Sequence, residues 1–235
     1  MALPQLDVPI FELTLPLSQK TIKYRPFLVK EEKVMLIAQE TGDRNSLINA
    51  LIQIVNNCVI DDINVEDLPM VELEYLFLQL RAKSVDNVQK INLRDREDDK
   101  VYELEVNLDD VKIVGLETKI DKKIDLTDEI GVVMRLPNVK RMVALETLSD
   151  DEVQNGIEIF KACIEKIYDK DNVYEMSDHS KQELDEFVES MSSQHFQKIQ
   201  DFFSSLPKLS YELKYTNSNK KEVTYKLEGL ADFFQ

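Results

Sequence analysis

Pro26 forces a change of structure in the middle of residues 22–40, IKYRPFLVKEEKVMLIAQE. Ahead of it, Ile22 and Tyr24 alternate with Lys23 and Arg25, the period of a half-buried strand. Proline cannot donate to a β-ladder and disfavours helix at the residue before it, so the strand ends at about Arg25. Beyond it, Val34, Ile37 and Ala38 recur at helical spacing, and Gly42 stands where a helix would stop. The alternation places Tyr24 on the core side of its strand. The rival role for Tyr24 and Arg25 is docking, since both residue types are favoured at the centres of interfaces.

Period-two stretches elsewhere come in pairs joined by turn residues. Phe11, Leu13 and Leu15 alternate with Glu12 and Thr14, and PLSQ then turns the chain towards residues 21–25. Tyr102, Leu104, Val106 and Leu108 alternate with polar residues, and Ile91 and Leu93 pair with that strand across the charged loop RDREDDK at 94–100. Leu209, Tyr211, Leu213 and Tyr215 oppose Val223, Tyr225 and Leu227 across TNSNKK. Shorter strand patterns occupy 123–126 and 132–136.

Helical stripes fill the intervals. Leu47, Leu51, Ile54, Val55 and Cys58 make one, and Leu73, Leu76, Phe77 and Leu80 make another behind Pro69, which a helix start tolerates. From Val153 the pattern reads as helical to residue 205. Val153, Ile157, Phe160, Ile164 and Ile167 form a long stripe, with Ser149 and Asp150 as caps and Glu152 in the first turn. Leu184, Phe187, Val188 and Met191 follow, then Phe196, Ile199, Phe202 and Phe203 before Pro207. The strands are short and hairpin-connected and do not alternate one-for-one with helices. The predicted fold is therefore α+β, with helices packed on small antiparallel sheets built from hairpins. The expected division is an N-terminal region, 1–148, and a C-terminal one, 149–235, with a soft boundary within 147–151 and a single domain as the alternative.

The 235 residues suffice for a sizeable core, and 43% hydrophobic with 31% charged residues is a globular balance. A formal charge of -16 repels phosphate, which argues against nucleic acid and anionic bilayers and in favour of basic protein surfaces. MALPQLDVPIF has neither a basic nor a continuous apolar segment, so no signal peptide is expected. No stretch approaches the ~18 apolar residues of a membrane span. Cys58 and Cys163 lie far apart in apolar helical patterns and read as buried thiols of a cytosolic chain.

Catalytic and metal-binding patterns are sparse. Ser177-Asp178-His179 has the residue types of a triad, but neighbours in sequence diverge in space, and a loop or cap is the expected role. His195, three residues from Ser192, reads as a surface or cap histidine. There is no CxxC and no HExxH. Asp169 and Asp171 open like a calcium loop, yet Tyr174 and Ser180 stand where glycine and glutamate are required. The five glycines, Gly42, Gly115, Gly131, Gly156 and Gly229, are too dispersed to cradle a phosphate. No catalytic residue, cofactor or metal is assigned, and the protein is not expected to be an enzyme. The apolar clip at Leu230, Phe233 and Phe234 has two roles open to it, a partner contact or packing on the protein's own core.

Three segments carry a resemblance: YRPFLVKEEK at 24–33, LRAKSV at 80–85 and FFSSLPKLSYELKYTN at 202–217. In that order they resemble the baseplate hub family of T-even-type tailed bacteriophages. The resemblance implies a structural or assembly component of a contractile tail hub, made in the host cytoplasm and acting by binding other hub or tail proteins. Two roles follow within the family: incorporation into the virion, which is expected first, and transient catalysis or chaperoning of hub assembly. A cell-wall hydrolase built from dispersed carboxylates is the reading from a different class. Relatives can carry a cysteine pair in the hairpin after the LRAKS segment. The matching loop here, 94–100, has none, so a family metal site does not carry over.

Overall fold

Strand, turn and helix follow one another at the N-terminus in the order that the alternation and Pro26 impose. A computed structural model describes residues 6–41, 44–84, 87–117, 120–145 and 152–233. β1 (Phe11–Thr14) and β2 (Thr21–Tyr24) pair antiparallel, with Phe11 opposite Tyr24. α1 (Val29–Thr41) and α2 (Arg44–Cys58) come next, then α3 (Met70–Ala82) with Pro69 at its N-cap. β3 (Val88–Arg94) and β4 (Val101–Asn107) form the expected hairpin, with Ile91 opposite Leu104 and Leu93 opposite Tyr102. β5 (Lys112–Val114), β6 (Lys123–Asp125) and β7 (Gly131–Met134) are short. α4 (Val139–Ala144) starts at Asn138, whose side chain accepts the Arg141 N–H. α5 (Glu152–Cys163) runs directly into β8 (Ile164–Tyr168), which turns back as β9 (Val173–Glu175). α6 (Lys181–Glu189) and α7 (Ser193–Ser205) precede the C-terminal hairpin, β10 (Lys208–Thr216) and β11 (Glu222–Glu228). The fold is α+β, and every strand pair among the described residues is antiparallel.

The chain forms two compact units, Met1–Leu116 with Pro207–Gln235, and Glu117–Leu206. The C-terminal hairpin thus belongs with the N-terminal segment. The boundary expected within 147–151 lies outside the described residues.

In the first unit the core centres on α3, where Leu73, Leu76, Phe77, Leu78 and Leu80 are all fully buried. Leu15, Ile22 and Tyr24 from the first hairpin and Ile54, Val55 and Cys58 from α2 join the same core. Glu72, also fully buried, accepts the N–H groups of Leu17 and Ser18 at 2.8 and 2.7 Å and closes the β1–β2 turn. β10 lies between β11 and β5, with Tyr211 opposite Leu227 and Leu209 opposite Ile113. Leu209, Leu213 and Leu227 are buried and Glu212 and Lys214 exposed, following period two, but Tyr225 of the same apolar row is 38% exposed. Leu213→Ala is therefore expected to cost ~2–4 kcal/mol by large-to-small truncation in a packed core. Lys214→Ala should stay within about 0.5 kcal/mol. Equal unfolding midpoints for the two variants in urea would show that this row faces water.

The rotation of α1 departs from expectation. Val34 and Ile37 were expected on the inner stripe with Ala38, but Ile37 is 54% exposed, and Glu31, Met35 and Ala38 point inwards. The cause is the burial of Glu31 by Arg25, described below. Val29 and Leu36, at 83% and 56% exposure, share the outer side.

In the second unit the sheet order is β6-β7-β8-β9, with Val132 opposite Ile167 and Ile167 opposite Tyr174. This corrects the expectation of continuous helix to residue 205. Ile164 and Ile167 continue the helical period of α5, but the pairing of β8 with β7 overrides it, helped by their β-branched side chains. Gly131 sits where a Cβ would collide with the Tyr168 hydroxyl, so the crossing of β7 and β8 excludes any side chain there.

Candidate functional site

The segment YRPFLVKEEK builds an internal lock. Pro26 ends β2, so Arg25 leaves the strand and turns its guanidinium back over the start of α1. There it pairs with Glu31 through two nitrogen–oxygen contacts, at 3.0 and 3.3 Å. The same group donates to the backbone oxygens of Asn57 (2.7 Å) and Pro26 (2.9 Å), which ties the end of α2 to the lock. Glu31 is fully buried and also accepts the Leu28 N–H at 2.9 Å. Burial alone would raise its carboxyl. The Arg25 fork, the Leu28 N–H and nearby Lys30 more than offset that and hold it below the ordinary range. Tyr24 is 2% exposed, so core is its role.

The LRAKSV segment reaches the same place. The Ser84 hydroxyl accepts the Phe27 N–H at 2.6 Å and donates to the Leu80 carbonyl. The Phe27 ring lies 5.6 Å from that of Phe77 on α3. Two of the three segments that carry the resemblance thus touch directly, and their conspicuous polar residues serve the fold.

The loop at 94–100 is closed by carboxylates. Asp98 accepts from the Tyr102 hydroxyl at 2.5 Å and the Ser218 hydroxyl at 2.7 Å. Asp95 accepts from the Tyr215 hydroxyl at 2.9 Å and the Glu97 N–H at 2.7 Å. The tyrosine and serine hydroxyls hold the Asp98 carboxyl far below its usual range. Burial, then Asp95, pushes the Tyr215 phenol up to about 12. Sequence reasoning missed this network; the acidic run opposite Tyr215-Thr-Asn-Ser was its only signal.

The other candidates fall into structural roles. Ser177 and Asp178 share a 3-10 turn, and Ser177 Oγ donates to Asp178 rather than to His179. His179 precedes the Ser180 N-cap of α6 and lies 3.4 Å from Glu183 in the first turn of that helix. His195 is a cap, with Ser192 accepting its N–H and donating a backbone N–H to its Nδ1, both at 3.3 Å. Asp169 accepts the Asp171 and Asn172 N–H groups and so stabilises the β8–β9 turn. Cys58 and Cys163 are buried free thiols, and burial pushes both up to about 11, far from thiolate reactivity. Leu230 and Phe233 are 9% and 0% exposed, so the described part of the apolar clip is core; Phe234 lies outside the described residues. Among the described residues no group of three His, Cys, Asp or Glu is placed to hold a metal ion, and no helix is long and apolar enough to cross a membrane.

Among the concavities of the described residues, one combines an apolar lining with carboxylates. A cleft of about 220 Å³ opens in the second unit between the β8–β9 hairpin and α6. Its floor is Ile167, Met176, Leu184 and Phe187, none of them fully buried. Tyr168, Tyr174, Asp169, His179 and Glu183 complete the lining, with Glu183 exposed. Glu183 belongs to the α6 capping box: it accepts the Ser180 N–H at 2.8 Å, and Ser180 Oγ accepts the Glu183 N–H. The Ser180 N–H and hydroxyl, with His179 beside them, bring its pKa down to about 2.

These depressed carboxyls predict the acid response. Folded pKa values below the unfolded ones mean that the unfolded chain binds more protons, so stability rises with pH across that window. For Glu183 the contribution is complete above its ordinary value of 4.5 and is lost as pH falls towards about 2. The urea midpoint should therefore drop over that range, and less steeply in an Asp98→Asn/Glu183→Gln variant. An identical slope in the variant would refute the assignment.

No significant match to a curated protein or to a solved structure was found. One family model does match, over residues 8–235, which is nearly the whole chain and contains every element described above. The chain belongs to the T4 bacteriophage base plate protein family.

Proposed function

We propose that this chain is a subunit of the baseplate hub of a contractile tail, retained in the virion and acting by binding other hub or tail proteins. Family membership carries the baseplate part. The hub part is supported by one observation: segments of the hub resemblance converge in space. Phe27 of YRPFLVKEEK bonds Ser84 of LRAKSV at 2.6 Å, and β10, from the third segment, packs on α3, which carries Leu80 and Arg81. The residues that carry the hub resemblance are therefore packed together in one core of this chain. The charge of -16 favours basic protein partners over nucleic acid.

The test is quantitative mass spectrometry of purified particles and of tail intermediates from infected cells. A fixed copy number in particles, co-fractionating with the centre of the baseplate, is the expected result. Presence in intermediates with absence from particles would replace the structural role by transient assembly. Peptidoglycan clearing lost on mutating a single carboxylate would overturn both.

A further inference from the structure

α6 is amphipathic in sequence, KQELDEFVE, yet contains no fully buried residue. A helix with one apolar face normally closes that face on its own core. Here Leu184 and Phe187 are only half-buried and line the cleft. At about 220 Å³ the space is below the ~300–1,000 Å³ typical of small-molecule sites and is matched instead to one long side chain.

The charge around it selects the side chain. No lysine or arginine lines the cleft among the described residues, while Asp169 and Glu183 both do. The second unit as a whole, residues 117–206, carries 11 basic and 20 acidic residues. Both carboxyls are ionised well into acid: the turn N–H groups lower Asp169, and the Ser180 N–H lowers Glu183. An anionic or purely aliphatic occupant would forgo or oppose that field. A cation on a long apolar stem satisfies floor and carboxylates together. The tyrosines favour a guanidinium over an ammonium, since it is planar, weakly hydrated and stacks on aromatic faces. The Tyr168 ring already meets a cation, the Lys123 ammonium 4.7 Å from its centroid, so the guanidinium is assigned to Tyr174.

We propose that the cleft receives an arginine side chain from a partner protein, its stem on Leu184 and Phe187 and its guanidinium beside Tyr174 and the carboxylates of Asp169 and Glu183. This deepens the reading of the chain as a protein-binding baseplate component and rests on it.

The intact protein, methyl-labelled at Ile, Leu and Met, is titrated with acetyl-Gly-Arg-Gly-amide and observed by NMR. The same peptide with citrulline in place of arginine keeps the shape and removes the charge. Saturable shifts at Ile167, Met176 and Leu184 are expected with the arginine peptide. Binding of the citrulline peptide should be weaker by about fivefold or more, as a stacked guanidinium is not replaceable by a neutral isostere. Glu183→Gln, which preserves the capping box, should weaken arginine binding by about two- to fivefold, the worth of one exposed ion pair. Equal binding of the two peptides, absence of saturable shifts, or indifference to Glu183→Gln at unchanged helix content would each overturn the proposal. Particle composition is a separate measurement. Arginine binding by a protein absent from particles would refute virion incorporation alone, and its converse would refute the cleft alone.

Discussion

Arg25→Ala is expected to destabilise the protein by ~3–5 kcal/mol, the usual cost of stranding one partner of a buried ion pair. The reason lies in the asymmetry of the pair. Arg25 is 17% exposed at its side chain, whereas Glu31 is sealed at 0%. Without the guanidinium, the Glu31 carboxylate keeps the Leu28 N–H and the outlying Lys30, 3.4 Å away and 64% exposed. The Asn57 carbonyl, which caps the end of α2 through Arg25, loses that donor as well. Arg25→Lys should cost less, about 1–3 kcal/mol, because the charge remains but the two-pronged geometry does not. An Arg25→Met/Glu31→Leu double variant should recover much of the loss, since it removes both charges from the interior. Urea unfolding of the three variants decides the matter. A double variant no more stable than Arg25→Ala would show that packing, and not the stranded charge, sets the cost.

The same lock shows what the sequence could and could not reveal. Hairpin pairing was legible, because period two has no competitor when Glu103 and Glu105 alternate with Leu104 and Val106. The register itself, Ile91 opposite Leu104 and Tyr211 opposite Leu227, came from the structure. The stripe of α3 was equally plain, since Leu73, Leu76, Phe77 and Leu80 fit only one helical face. The rotation of α1 was not legible from hydrophobicity. Val29, Leu36 and Ile37 outnumber the apolar residues turned inwards, and a buried carboxylate overrules them. A glutamate looks like surface until its partner is found, and Arg25 lies six residues back across a proline.

β8 failed for the opposite reason, an excess of fit. Ile157, Phe160, Ile164 and Ile167 keep helical spacing across the junction at Cys163, so no local rule ends α5 there. What ends it is pairing with β7, through Val132 and Ile167, which lie 35 residues apart. A local signal existed in Asp169-Lys170-Asp171-Asn172, a turn sequence between Ile167-Tyr168 and Val173-Tyr174. Its aspartates look like the opening of a calcium loop, but the Asp169 carboxylate serves its own turn. The cleft depends on that hairpin, so the site was illegible for the same reason as the strand.

Phe77→Ala is the other large effect, with an expected loss of ~3–5 kcal/mol, as for buried aromatic truncations generally. Phe77 has no exposed surface, and its neighbours on the helix, Leu73, Leu76, Leu78 and Leu80, have none either. A site walled on all sides by packed residues collapses poorly, which places the cost towards the upper end of the range. Across the ring lies Phe27, centroids 5.6 Å apart at 42°. Phe27 is itself fixed by the Ser84 hydroxyl on its N–H, so the aromatic pair joins α3 to the segment that carries the lock. The two residues should therefore not behave independently. The Phe27→Ala/Phe77→Ala variant is expected to lose ~0.5–1.5 kcal/mol less than the sum of the single losses, the coupling typical of an aromatic pair. Equilibrium unfolding of the four proteins of the cycle measures it directly. Strict additivity would mean that the rings touch without cooperating, and a Phe77→Ala loss under about 1.5 kcal/mol would mean that the α3 core can close over the void.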